Sequence, residues 1–574
     1  MFRQLPNDVR AFQDWSWVQI APYYADLAAR PLTAGSLESW LADWTRLSFL
    51  IYETGARRHL AHTQDTTDAV AEAAFFRYLD EIRPPAATAE QELKLKLLAS
   101  GLSLEGLAVP LRNLKAEADL FREVNLPLLV EESKLGSRYD KIIGAQTVEW
   151  EGKEIPLPQL RPVLAGTDRA QRHAAWQLMS QRRLADRSAL NDLWRELHAL
   201  RQRIAANAGH PDYRSYIWQA KQRFDYTPAD CATFHDAIEA VCVPAATRIY
   251  DRRSRLLGLP ALRPWDLTNG EFSRPADMPG TQPLKPYRDG GELLDKSAAI
   301  LDKVDPSLGG QYRMMIAEGL LDAENRKGKA PGGYCTYFPV AKRPFIFMNA
   351  VGLHDDVQTM LHEAGHAFHA FASSDLPFAP QLESPMEFNE VASMAMELLA
   401  APYLTADHGG FYDVGGAARA RIEHLESTIL FWPYMAVVDA FQQWAYTHPE
   451  GAEPDACDAQ WRALVQRFIP AIDFDGLDDV MATGWHRKLH IFNVPFYYVE
   501  YGLAQLGAAQ VWRNSLTDHP RAVADYRSAL RLGGTATLPQ LFATAGARFA
   551  FDAGTLGEAV GLIERTVTEL GAVA

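Results

Sequence analysis

The sequence predicts a mainly α-helical protein. Apolar residues recur at three- and four-residue steps through most of the chain, and β-branched runs are few. Only two short regions alternate in the way strands do. With 574 residues the chain is long enough for two or more lobes, or for one large helical body with a deep groove. A hydrophobic content of 48% and a charged content of 22% are those of an ordinary globular protein. The formal charge of −15, with no basic cluster against it, argues against a nucleic-acid footprint. The four cysteines (Cys231, Cys242, Cys335, Cys457) form neither a disulfide framework nor a thiolate metal site, which fits a reducing compartment. The first residues lack the apolar core of a secretory signal, and no run approaches the ~20 apolar residues of a membrane span. The expectation is a cytoplasmic protein without nucleic-acid or membrane partners.

In chain order, helical periodicity runs from Trp15 to about Asn125, clearest over Leu37 to Leu60 and Ala69 to Ile82, with a break at Pro84 and Pro85. Val148 to Ile155 reads as a short hairpin around Gly152. A long charged helix is expected from about Asp168 to Ala208, and another from Ala229 to Gly258. A surface loop rich in proline and glycine follows, with Pro260, Pro264, Pro275, Pro279, Gly280, Pro283 and Pro286. Tyr334–Phe338 and Pro344–Asn349 look like two strands joined near Lys342 and Arg343, leading into a helix over His354 to Ser373. From Ser384 the chain is again mostly helical. The division expected is an N-terminal helical lobe (1–145), a hinge hairpin with a long helix (146–210) and a catalytic helical domain (211–574).

Within the helix at 354–373, Leu361-His362-Glu363-Ala364-Gly365-His366 carries the H-E-x-x-H pattern. Residues i and i+4 share a helical face, so His362 and His366 offer two imidazoles to one metal ion. Glu363 is placed to act on a water at that ion, the arrangement of many zinc peptidases. A third protein ligand is needed. The position six residues after His366 is Ala372, so a carboxylate on the following helix is expected, with Glu383, Glu387, Glu390 and Glu397 competing. Ser384-Pro385-Met386-Glu387 reads as a capping box, which gives Glu387 a structural task. Glu383 precedes the helix. Glu390 lies one turn inside it, beside Ala392 and Ser393, small residues that permit close helix approach, and is taken as the ligand. His369 is read as packing around the site; Glu397, two turns beyond Glu390 on nearly the same face, could orient a ligand histidine but is taken as a solvated or core-paired carboxylate.

A second constellation follows downstream, His490 to Tyr501. With helix entry at Pro495, Tyr497 and Tyr501 fall one turn apart, with Tyr498 beside them. Phenol or imidazole donors near a metal would stabilise the oxyanion of peptide hydrolysis. In isolation the same pattern is that of an aromatic stripe in a helical core, and its company with the metal motif favours the functional reading.

Together these segments resemble the thimet oligopeptidase and oligoendopeptidase F family of zinc metallopeptidases, the oligoendopeptidase F branch in particular. The resemblance is carried by 326–334 (RKGKAPGGY), by Phe345-Ile346-Phe347-Met348-Asn349 running into the metal motif, by Asn389-Glu390-Val391-Ala392-Ser393, and by His490 with its tyrosines. It implies two helical lobes around a deep channel, with a small β-sheet next to the zinc-binding helix. The strand ending at Asn349 would pair with substrate backbone. It further implies one zinc ion per chain held by His362, His366 and Glu390, with Glu363 as general base. His490 and one or more of Tyr497, Tyr498 and Tyr501 would bind the carbonyl or oxyanion of short unfolded peptides cleaved internally. The competing readings are a zinc carboxypeptidase trimming C-termini and a catalytically silent helical peptide-binding protein.

Overall fold

The computed structural model describes residues 1–268, 273–274, 281 and 284–573. The elements that position the site are, in chain order, α1 (Leu37–Gln64), β1 (Thr147–Trp150), β2 (Lys153–Pro156), α2 (Arg169–Ala185), α3 (Arg187–Asn207), α4 (Pro228–Leu257), β3 (Leu321–Glu324), β4 (Tyr334–Phe338), β5 (Arg343–Ala350), α5 (His354–Ser373), α6 (Met386–Ala400), α7 (Leu489–Phe492), α8 (Tyr498–Ser515) and α9 (His519–Leu530). Helices dominate, as the sequence predicts. Among the described residues, no helix is long and apolar enough to cross a membrane.

The chain forms two compact units, each assembled from three chain segments. The first unit comprises Met1–Asp119, Leu284–Ala417 and Gly507–Phe549; the second comprises Leu120–Pro283, Ala418–Leu506 and Ala550–Ala574. These units interleave along the chain, whereas the expected division at 1–145, 146–210 and 211–574 follows chain order.

In the first unit, Trp40, Trp44, Leu41 and Leu47 of α1 join Tyr23, Tyr24, Leu27, Leu93 and Leu97 in one apolar cluster. Pro84 and Pro85 do not break the helical run. A π-helical turn (Tyr78–Ile82) leads into a helix at Arg83, and the prolines occupy its first turn, where their missing N–H groups have no intrahelical partner to lose. The sheet has three strands in the order β3-β5-β4, with β5 central, parallel to β3 and antiparallel to β4. Strand β3 is not foreseen from the sequence. Its presence overturns one expectation: β5, which ends at Ala350 just past Asn349, is paired on both sides and is not an open edge. Asn349 instead donates its side-chain amide to the carbonyls of Ala330 (2.8 Å) and Gly332 (2.9 Å). The free edge nearest the H-E-x-x-H helix belongs to β4.

Lys329 holds the end of this sheet together. Its ammonium is fully buried and donates to the carbonyls of Asp322 (3.0 Å), Glu324 (2.9 Å) and Met348 (2.6 Å) and to the Asp322 carboxylate (2.8 Å). All of these bonds tie β3 to β5 and to the loop before β4.

In the second unit the hairpin β1–β2 forms as expected, with Glu151 and Gly152 both at positive φ (51° and 76°), a two-residue turn whose twist suits the strands. The single charged helix expected over 168–208 is two helices, α2 and α3. They part at Asp186, whose carboxylate accepts from Arg182 (2.7 Å) and Gln146 (2.9 Å). Of the expected proline-rich loop, Pro264 begins a 3-10 turn (Pro264–Asp266), while Pro275, Pro279, Gly280 and Pro283 lie outside the described residues.

Lys329→Met removes the shared donor of three buried carbonyls and one carboxylate. The expected loss is about 3 kcal/mol, the usual cost of removing one partner from a buried charged pair. Urea denaturation of the variant against the parent chain measures it.

Candidate metal centre

The site grows out of two helices of the first unit. α5 begins where the Asp356 carboxylate accepts the N–H groups of Val351 (2.9 Å), Gly352 (2.8 Å) and Leu353 (2.8 Å), fixing the direction in which the helix leaves β5. Its bounds, His354–Ser373, are those the sequence predicts. α6 crosses it at Gly365. A Cβ there would stand 2.5 Å from the Ala392 carbonyl oxygen and 2.6 Å from the Ser393 Cα, so only glycine lets the backbones meet. The Tyr526 hydroxyl, from α9, donates to the same Ala392 carbonyl (2.7 Å).

This crossing brings His362, His366 and Glu390 together, their donor atoms all within 4.8 Å of one another, a set that can hold a metal ion. His362 Nε2 lies 3.4 Å from Glu390 Oε2, and His366 Nε2 lies 3.9 Å from the same oxygen. Metal–ligand bonds of about 2.0–2.1 Å at tetrahedral angles set donor atoms about 3.3 Å apart, so the three groups need only close slightly around an ion. Ser393 Oγ donates to Glu390 Oε2 (3.2 Å) and steadies that carboxylate.

Electrostatics point the same way. Burial works against a charge on His362, but the hydrogen bonds and negative charges of Glu390 and Glu397 outweigh it and raise its pKa to about 10. Burial, with the adjacent His362 charge, lowers His366 to about 4. The two carboxylates thus call for positive charge between them, which an ion supplies in place of a proton. Glu363 is 7% exposed, and its Oε2 has no hydrogen-bond partner among the described residues. Burial pushes this carboxyl up to about 7, opposed by the His362 charge and by the Cys335 N–H of β4, which turns toward it.

Two readings of nearby residues change and a third stands. Glu397 is not a solvated or merely core-paired carboxylate, because its Oε1 accepts from His362 Nδ1 at 2.7 Å. That bond fixes the tautomer which leaves Nε2 free to bind a metal. The signal for it was its placement two turns beyond Glu390 on nearly the same face. The capping box at Ser384 does not form: α6 starts at Met386 with Pro385 at its N-cap, Ser384 Oγ has no partner among the described residues, and Glu387 is buried. His369 packs edge-on to Phe388 with ring centroids 6.1 Å apart, in line with the packing role expected of it.

His490, Tyr497, Tyr498 and Tyr501 belong to the second unit. There the His490 ring lies 4.8 Å from that of Tyr498, 6.1 Å from Tyr497 and 6.2 Å from Tyr501. Burial, reinforced by Lys488 and Lys221, lowers His490 to about 3, so its imidazole is neutral. The Lys488 ammonium donates to the Tyr498 hydroxyl. Helix entry differs from expectation. Pro495 sits in a turn, Phe496 takes φ +61°, and α8 begins only at Tyr498. Tyr497 and Tyr501 still meet, 5.0 Å between ring centroids.

Comparison with known proteins adds to this picture. The profile of Peptidase family M3 matches residues 163–559. The solved structure of PZ peptidase A with inhibitor 2 is 26% identical, with a TM-score of 0.86 over 99% of both chains. Oligoendopeptidase-F from Enterococcus faecium, 15% identical with a TM-score of 0.63 over 97% of each chain, shares the fold. An oligoendopeptidase F homolog from Borreliella burgdorferi is 23% identical over 257 residues, 43% of this chain and 41% of that relative's length.

Gly365→Ala is expected to push α6 away from α5 and weaken metal binding about a hundredfold, and Glu397→Ala by about 10- to 100-fold. Competition with a chromogenic chelator measures both, with the metal-free fold followed by circular dichroism.

Proposed function

The chain belongs to peptidase family M3, and we propose that it is a zinc-dependent endopeptidase hydrolysing internal bonds of short unfolded peptides. One observation carries this reading. Two imidazole nitrogens of α5 and a carboxylate oxygen of α6 converge within 4.8 Å, and α5 also carries a buried carboxylate, Glu363, one of whose oxygens has no partner among the described residues. That is the donor set of a hydrolytic metal site together with a candidate base. The names of similar proteins, PZ peptidase A and oligoendopeptidase F, support the substrate class.

A zinc ion held by His362, His366 and Glu390 would supply a Lewis acid that polarises a carbonyl and acidifies water. The protein's own groups do the rest. Glu397 keeps the proton of His362 on Nδ1, so that Nε2 remains a donor of electrons. Glu363 takes a proton from the attacking water and passes it to the leaving amine. Neutral His490 and one or more of Tyr497, Tyr498 and Tyr501 donate hydrogen bonds to the developing oxyanion. Substrate backbone pairs with the open edge of β4, where the Cys335 N–H already turns toward Glu363, and not with β5. All four cysteines are free, which suits action in a reducing compartment such as the cytoplasm.

A short fluorogenic peptide blocked at both ends tests the reaction. Cleavage at an internal bond, abolished by a chelator and restored by zinc, is expected. Trimming that requires a free C-terminus would replace the endopeptidase reading with a carboxypeptidase one. Glu363→Gln should keep its zinc and lose at least about a hundredfold in kcat. Full turnover in that variant would remove Glu363 from the mechanism.

A further inference from the structure

Two arginines of the second unit, Arg201 and Arg223, are buried to 1% and 4% exposure. Arg201 Nε donates to Glu132 (2.7 Å), and Nη1 donates to the Tyr446 hydroxyl (2.8 Å) and the Ile491 carbonyl (3.1 Å). Its Nη2 donates to the carbonyl of Phe492. Arg223 Nη2 donates to the carbonyl of Phe496 and to the buried carboxylate of Glu500. Both guanidinium groups therefore close on one short stretch of backbone, Arg201 just before the turn at 493–496 and Arg223 at its last residue. That turn holds Phe496 at φ +61°, a conformation that disfavours a bulky residue, with its N–H given to Gln442 Oε1 (2.8 Å).

Helix α7 has four residues, too few to stand by its own hydrogen bonds, and the carbonyls of Ile491 and Phe492 are among those its last turn leaves open. Arg201 closes them. His490 lies on this helix, and Tyr497 and Tyr498 begin the segment beyond the turn. The stacking of Phe492 on Tyr139 (4.4 Å between centroids) holds the same helix from its apolar side. Two desolvated charges and one strained residue are more than a connecting turn requires, since glycine at position 496 would relax it.

We infer that Arg201 and Arg223 are positioning residues, which hold His490 against Tyr497 and Tyr498 at the separation the oxyanion needs. The inference rests on the proposed role of His490 and the tyrosines in the reaction. Neither arginine is assigned a contact with the substrate. Each acts through the backbone it grips.

Arg201→Lys tests it, because one ammonium cannot reproduce bonds made from three guanidinium nitrogens. Three quantities are read on the zinc-loaded enzyme: kcat/KM for the blocked peptide, Ki for a phosphinic peptide that imitates the tetrahedral state, and Kd for a product peptide. The expected result is a fall in kcat/KM of about a hundredfold with an equal rise in the phosphinic Ki, while product affinity and zinc content hold. A loss of folded enzyme would lower activity without moving Ki, so an unchanged phosphinic Ki overturns the inference. His490→Ala separates the two levels. If it matches the parent chain, the catalytic assignment falls and the inference with it; if it loses activity while Arg201→Lys does not, the positioning role alone is overturned. Should Arg201→Lys fail to fold, hydrogen exchange in the unaltered protein decides. The amides of Asn493 and Phe496 should exchange as slowly as those inside α8, and fast exchange there overturns the proposal.

Discussion

At Gly365 the backbone of α5 lies directly against that of α6, and the separation of the donor groups is set by that contact instead of by side-chain packing. Side chains can repack by fractions of an ångström; two backbones in contact cannot. The closeness of Glu390 to both histidines follows from it, as does the bond from His362 to Glu397 two turns further along α6. The same crossing gives α6 two tasks. One helix delivers the carboxylate that closes the candidate donor set and the carboxylate that bonds the histidine opposite.

Much of this was legible in the sequence because it depends on the 3.6-residue period. The bounds of α5, the shared face of His362 and His366 and the choice of Glu390 beside two small residues all follow from helical geometry. What escaped depends on partners distant in the chain. Strand β3, Leu-Asp-Ala-Glu, has no β-branched or aromatic residue, and only its pairing with β5 makes it a strand. The turn before α8 carries no glycine or asparagine at its left-handed position; Phe496 is held there by Gln442 and Arg223, far away in sequence. Asp186 divides a helix that its neighbours' propensities would continue, through bonds to Arg182 and Gln146. Ser384 looked like a cap because the motif was complete, but α6 begins one residue later than that motif requires.

The missed strand changes which edge of the sheet is open. Without β3, the strand ending at Ala350 would be an open edge and the natural partner for an extended peptide. With β3 present, β5 becomes the interior of the sheet, and the open hydrogen-bonding groups near Glu363 belong to β4. A short, weakly patterned strand thereby decides which backbone is left unpaired.

The interleaving of the units has a consequence for synthesis. The candidate metal donors and Glu397 lie close together in the chain, yet the outer side of their helix pair is completed by the segment Gly507–Phe549. Tyr526 bonds the Ala392 carbonyl at the crossing, and Val391 lies against residue 507, with Phe542 beside it. On the ribosome, all the donors therefore emerge well before the residues that lock the two helices in register. A nascent chain thus carries the whole candidate donor set before the segment that completes its scaffold has been made.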